Sequence, residues 1–167
     1  MIVKSYEINK INLDKIRLIL LYGKNEGLKN KIIEDLFDIK SEVTTYEEGE
    51  ILNNKNEFIE NIFNKSFFDQ GKKIIIKRAS DKIVKIIEEI YKKDLEDIQI
   101  IINANNLEKK SKLRTLFEKD KGLVCIPFYP DNEQTLSKLT YKFLKDRNIT
   151  ISQSNINSIV KKCNGDR

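Results

Sequence analysis

Apolar positions up to about residue 127 come in two alternating rhythms. Five short runs read as strands: 18–22 (Leu-Ile-Leu-Leu-Tyr), 43–46 (Val-Thr-Thr-Tyr), 74–77 (Ile-Ile-Ile-Lys), 98–102 (Ile-Gln-Ile-Ile-Ile) and 123–126 (Leu-Val-Cys-Ile). Four of them are nearly continuous in apolar residues, the pattern of strands covered on both faces of a parallel sheet. Between the runs, apolar residues recur at helical spacing. The stripes are Leu28, Ile32, Ile33, Leu36 and Phe37; Phe58, Ile59, Ile62 and Phe63; Ile83, Ile86, Ile87 and Ile90; and Leu113, Leu116 and Phe117. This alternation predicts a three-layer α/β domain with right-handed crossovers.

The pattern changes at Pro127-Phe128-Tyr129-Pro130, which reads as a linker because proline does not continue a sheet interior. Beyond it, Asp131 is placed to cap a helix carrying Leu136, Leu139, Phe143 and Leu144. A second helix is expected from about Ser152, with Ile156, Ile159 and Val160 as its stripe. Two helices are too few for a core of their own. The expected organisation is an α/β domain over residues 1–128 and the start of a small all-helical domain over 131–167.

Composition removes several chemistries. The 167 residues contain no histidine, which excludes a Ser-His-Asp triad, a Cys-His pair and imidazole metal ligation. Cys125 and Cys163 lie far apart without CxxC spacing, so no cysteine metal site is expected and the pair reads as reduced cytoplasmic thiols. No apolar run reaches the ~18 residues of a membrane helix. With 31 Lys and Arg against 26 Asp and Glu, the net charge of +5 permits a nucleic-acid partner without demanding one.

Three segments are candidates for function. After the first predicted strand, Gly23 opens a loop that parallels the phosphate-binding GxxxxGK[ST] pattern. Lys29 keeps the lysine slot, but Leu28 stands where the second glycine belongs and Asn30 where the metal-binding hydroxyl belongs, and Glu26 adds repulsion. Asn103 and Asn105 follow the fourth strand where a carboxylate would help hold Mg²⁺. The loop is expected not to work, with no cofactor and no catalytic residue. The second candidate is the basic stretch Lys109, Lys110, Lys112 and Arg114 at a helix start, which opposes the helix dipole unless phosphates meet it; a solvated face explains it as well. The third is Ser66-Phe67-Phe68 ahead of Gly71. If the preceding helix continues, both rings fall off its core stripe and form an apolar knob for a partner; if it ends early, both fold under the sheet.

Together these segments resemble the N-terminal part of the delta-subunit family of the bacterial DNA polymerase III clamp loader. The resemblance is carried by residues 20–28 (Leu-Leu-Tyr-Gly-Lys-Asn-Glu-Gly-Leu), 66–73 (Ser-Phe-Phe-Asp-Gln-Gly-Lys-Lys), 107–114 (Leu-Glu-Lys-Lys-Ser-Lys-Leu-Arg), 126–130 (Ile-Pro-Phe-Tyr-Pro) and 165–167 (Gly-Asp-Arg). It implies an AAA+ fold with a decayed nucleotide site and a non-catalytic role in the polymerase holoenzyme, binding and opening the ring-shaped sliding clamp. It also implies that the pair matching Phe67 and Phe68 enters a pocket on the clamp, with Phe67 standing where leucine is usual. Family members are about twice as long, the remainder completing the lid domain and supplying the collar that joins the other loader subunits; DNA is a partner of the assembled complex. Two other readings compete: a divergent ATPase using Lys29, and a general nucleic-acid-binding module using residues 109–114.

Overall fold

The computed structural model describes residues 1–12, 15–36, 43–64 and 71–165. Five parallel strands form one sheet in the order β2-β3-β4-β1-β5. They are β1 (Leu18–Gly23), β2 (Val43–Glu47), β3 (Lys72–Ala79), β4 (Ile98–Ala104) and β5 (Val124–Phe128). The intervening helices are α1 (Glu26–Leu36), α2 (Glu48–Asn53), α3 (Lys55–Phe63), α4 (Val84–Tyr91) and α5 (Lys112–Lys119). A helical hairpin, α6 (Glu133–Lys145) and α7 (Gln153–Cys163), follows.

The period-two geometry of a strand divides the core into two faces. Leu18, Leu20, Ile74, Ile76, Ile100 and Ile102 pack with Phe58, Ile62, Ile87, Ile90, Leu113 and Phe117 from α3, α4 and α5. Ile19, Leu21, Ile75, Ile101 and Ile126 face the other way, toward Leu28, Ile32, Ile33 and Leu36 of α1. Central strands β1 and β4 are buried at every residue, which is why their sequences lack alternation. The expected three-layer α/β arrangement is the arrangement found.

Several details differ from the sequence reading. Pro127 and Phe128 are not linker but the end of β5, paired with Tyr22 and Gly23. β5 is an edge strand, and an edge has one side where a missing N–H costs no ladder bond. The connection to α6 is therefore only residues 129–132. Asp131 does not cap α6. Asn132 does, its Oδ1 accepting from the Thr135 N–H at 2.8 Å. The short helix α2, with a capping box between Glu47 and Glu50, carried too few apolar residues to announce itself. Phe37, counted in the α1 stripe, lies outside the described residues.

The hairpin has its own small cluster, Leu136, Ile156 and Val160, with Ile151 and Cys163 against it. Of its expected stripes, Phe143 and Ile159 are exposed. Among the described residues, no helix is long and apolar enough to cross a membrane.

Candidate functional site: the loop after β1

Parallel α/β sheets offer ligands the carboxyl ends of their strands, and the loop from Gly23 to Asn30 lies there. Gly23 is required by two facts. Its φ is +127°, and a Cβ on it would lie 2.0 Å from the Phe128 carbonyl oxygen. The loop thus turns hard against the end of β5.

Lys29, in the slot of a phosphate-binding lysine, is wholly buried. Its Nζ donates to the Ala104 carbonyl at 2.7 Å, at the end of β4, and pairs with Glu26 Oε1 at 2.6 Å. The ammonium is turned into the fold. Leu28 lies in the α1 face of the core, and Asn30 is exposed.

Backbone donors that would cradle a phosphate are engaged as well. Gly23 N–H donates to Asn105 O at 3.2 Å, Asn25 N–H to Phe128 O at 3.5 Å and Glu26 N–H to Lys24 O at 3.1 Å. Leu28 N–H donates to Asn25 Oδ1 at 3.0 Å, and Lys29 N–H to Asn25 O at 3.1 Å. A protein that satisfies these groups itself needs no anion to do so.

Asn25 is the residue that sequence reasoning passed over. It is fully buried, caps α1 through Oδ1, and donates from Nδ2 to Tyr129 O at 3.2 Å and to Asp131 Oδ2 at 2.8 Å. An asparagine directly before a helical stripe is a cap signal, and that could have found it. Its contacts more than 100 residues away could not be found so.

The basic stretch divides in two. α5 begins at Lys112, so exposed Lys109 and Lys110 lie in the turn before it, Lys110 pairing with Glu108 at 3.0 Å. Lys112 is exposed in the first turn. Arg114 is mostly buried, bound to Glu118 at 2.7 Å, with its guanidinium 5.0 Å over the Tyr22 ring. The dipole conflict read from sequence is answered by Asp81, whose Oδ1 accepts from Ser111 Oγ at 2.6 Å and from the Leu113 N–H at 3.0 Å. Burial pushes the Asp81 carboxyl up. The hydrogen bonds from Ser111, Leu113 and Lys112, with the Lys112 charge, outweigh that and hold it below its ordinary 3.8. Beneath this helix, burial pushes the Tyr22 hydroxyl and the Cys125 thiol each up to about 12, so both stay neutral.

Ser66, Phe67 and Phe68 lie outside the described residues. Their flanks are described: α3 ends at Phe63 with extended Asn64 as its C-cap, and Gly71 leads into β3 at φ +96°. Lys72 Nζ donates to the carbonyls of Asn61 (2.9 Å) and Asn64, tying the end of α3 to the start of β3. These flanks lie at the amino-terminal edge of the sheet, opposite the Gly23 loop.

No family model and no curated protein matches the chain. Among solved structures, the crystal structure of domain III from the Thermotoga maritima replication initiation protein DnaA is similar, with a TM-score of 0.53 and 13% identity. The match covers 97% of this chain and 75% of that one. At that identity the likeness speaks for the fold alone, a three-layer α/β domain with a five-stranded parallel sheet.

Proposed function

We propose that the chain is a non-catalytic AAA+-like module of the clamp-loader delta type, which binds a sliding clamp and helps open it for loading onto DNA. The observation that carries the non-catalytic part is the fate of Lys29. A lysine buried against Ala104 O and Glu26, in a loop where the N–H groups of Gly23, Asn25, Glu26, Leu28 and Lys29 are paired within the protein, is not presented to a triphosphate. Exposed Asn30 cannot replace the missing metal-binding hydroxyl. The clamp-binding part rests on the motif resemblance at residues 66–73, on flanks pinned by Lys72, and on an AAA+-like fold.

In this reading Phe67 and Phe68 are the anchors and Ser66 leads into them. Exposed Lys109, Lys110 and Lys112 are the side chains available to DNA phosphates in an assembled loader, while Arg114 supports the fold. The other loader subunits are partners of the family's collar region.

The test is binding to the sliding clamp of the same organism. Phe67→Ala with Phe68→Ala should weaken it by roughly thirtyfold, the ~2 kcal/mol of a truncated aromatic anchor. The thermal midpoint should stay within a few degrees of wild type. Undiminished binding refutes the assignment, and so does collapse of the fold, since a core ring would cost about 3–5 kcal/mol.

A further inference from the structure

The α6–α7 hairpin is joined to the sheet by surprisingly little apolar contact. Its buried cluster is internal to the hairpin, and between it and α1 runs an open groove of about 730 Å³. Gly27 and Lys31 form the α1 side of that groove, and Leu139, Phe143 and Ile159 lie across it. With an open groove on this side, polar contacts to the connection carry weight in setting the hairpin's angle. Two of the polar contacts that reach its connection to the sheet come from one residue, Asn25.

We propose that Asn25 is a latch: the loop that would hold phosphates in a nucleotide-binding protein here holds the helical hairpin at a fixed angle to the sheet. Its buried amide grips residues 129–131 from the loop side, through Tyr129 O and Asp131 Oδ2. From the other side, the Asp131 N–H donates to Gly165 O at 2.7 Å, just past the end of α7. Gly165 is packed there so closely that a Cβ would lie 2.9 Å from the Pro130 Cβ. The short connection is thus held between the Gly23–Asn30 loop and the last turn of the hairpin. Both ends of the hairpin meet at Asp131.

The chemistry requires an amide. Asn25 donates twice and accepts once, so aspartate would keep the α1 cap but lose both donors and face Asp131 with like charge. The hairpin's posture is then set by a side chain and needs no bound nucleotide.

The two partners allow separate tests, Asn25→Asp and Asp131→Ala. Spin labels at Lys85→Cys on α4 and Lys162→Cys on α7, both exposed sites, report the hairpin's position in a Cys163→Ser background. Cys125 is fully buried and stays unlabelled. The parent should give one narrow distance distribution. Each variant should broaden or shift it, and hairpin amides should exchange about tenfold faster, the equivalent of one buried hydrogen bond, while α1 and the central strands keep their rates. The parental distance in either variant, with the sheet protected, overturns the latch. Equal loosening of sheet and hairpin in Asp131→Ala also overturns it. If Asn25→Asp unfolds the chain, Asp131→Ala decides alone, because it changes no residue of the loop and leaves Asn25 Oδ1 capping α1. Neither variant touches residues 66–68, so the outcome is independent of clamp binding.

Discussion

Lys29 gives the sharpest test of how this loop is used. In a working phosphate-binding loop the lysine waits for its ligand, and removing it abolishes binding at little cost to the fold. Here the ammonium donates to a buried carbonyl, Ala104 O, and the side chain has no exposed surface. Lys29→Met keeps the stem and deletes the donor, leaving that carbonyl unpaired, which costs about 1–3 kcal/mol. Glu26 adds little, because its side chain is 47% exposed and water takes over from the lysine. Lys29→Ala removes the stem too, and emptying a site of that length costs a further ~2–5 kcal/mol. At roughly 2–4 °C per kcal/mol for a chain of this size, the methionine variant should lose at least a few degrees. The alanine variant should melt at least ~4 °C below the methionine one. The assay is thermal unfolding by circular dichroism, with and without millimolar Mg-ATP. Nucleotide should move no midpoint, whereas a ligand at a hundred times its Kd would add about 2.7 kcal/mol. An alanine variant as stable as wild type, or a wild type stabilised by ATP, refutes the structural role of Lys29.

Two glycines should respond in opposite directions. Gly23→Ala places a Cβ against the Phe128 backbone at a positive φ and should cost about 3–5 kcal/mol, read as a lower urea midpoint. Gly49→Ala lies in α2 with nothing within 4 Å of the new Cβ and should stabilise by up to ~1 kcal/mol; equal effects at the two positions would contradict the geometry. Asp81→Ala removes the acceptor at the start of α5 and should cost about 1 kcal/mol at neutral pH. Because the folded carboxyl is held below 3.8, its contribution is present above that value and is lost as pH falls through the lowered one. The gap between wild type and variant should therefore narrow as pH is lowered from neutral into the acid range, and a gap that stays constant throughout would count against the assignment.

What the sequence determined by itself is the sheet and its two helical layers. Buried strands such as 98–102 and amphipathic stripes such as Ile83, Ile86, Ile87 and Ile90 are local patterns, and burial of one face follows from their spacing. The decay of the phosphate-binding pattern at Leu28 and Asn30 was equally legible, because that motif is a matter of residue type at fixed offsets. Other features depended on what lies beside a residue in space. Pro127 became strand because β5 took an edge. Asp131 was drawn away from capping α6 by Asn25, more than 100 residues earlier. Arg114 left the basic face for Glu118 and Tyr22, and Asp81 reached across to supply the anion that α5 lacked. Hydrogen bonds and ion pairs of this kind join residues with no fixed separation along the chain. Their partners are chosen only when the strands and helices have packed.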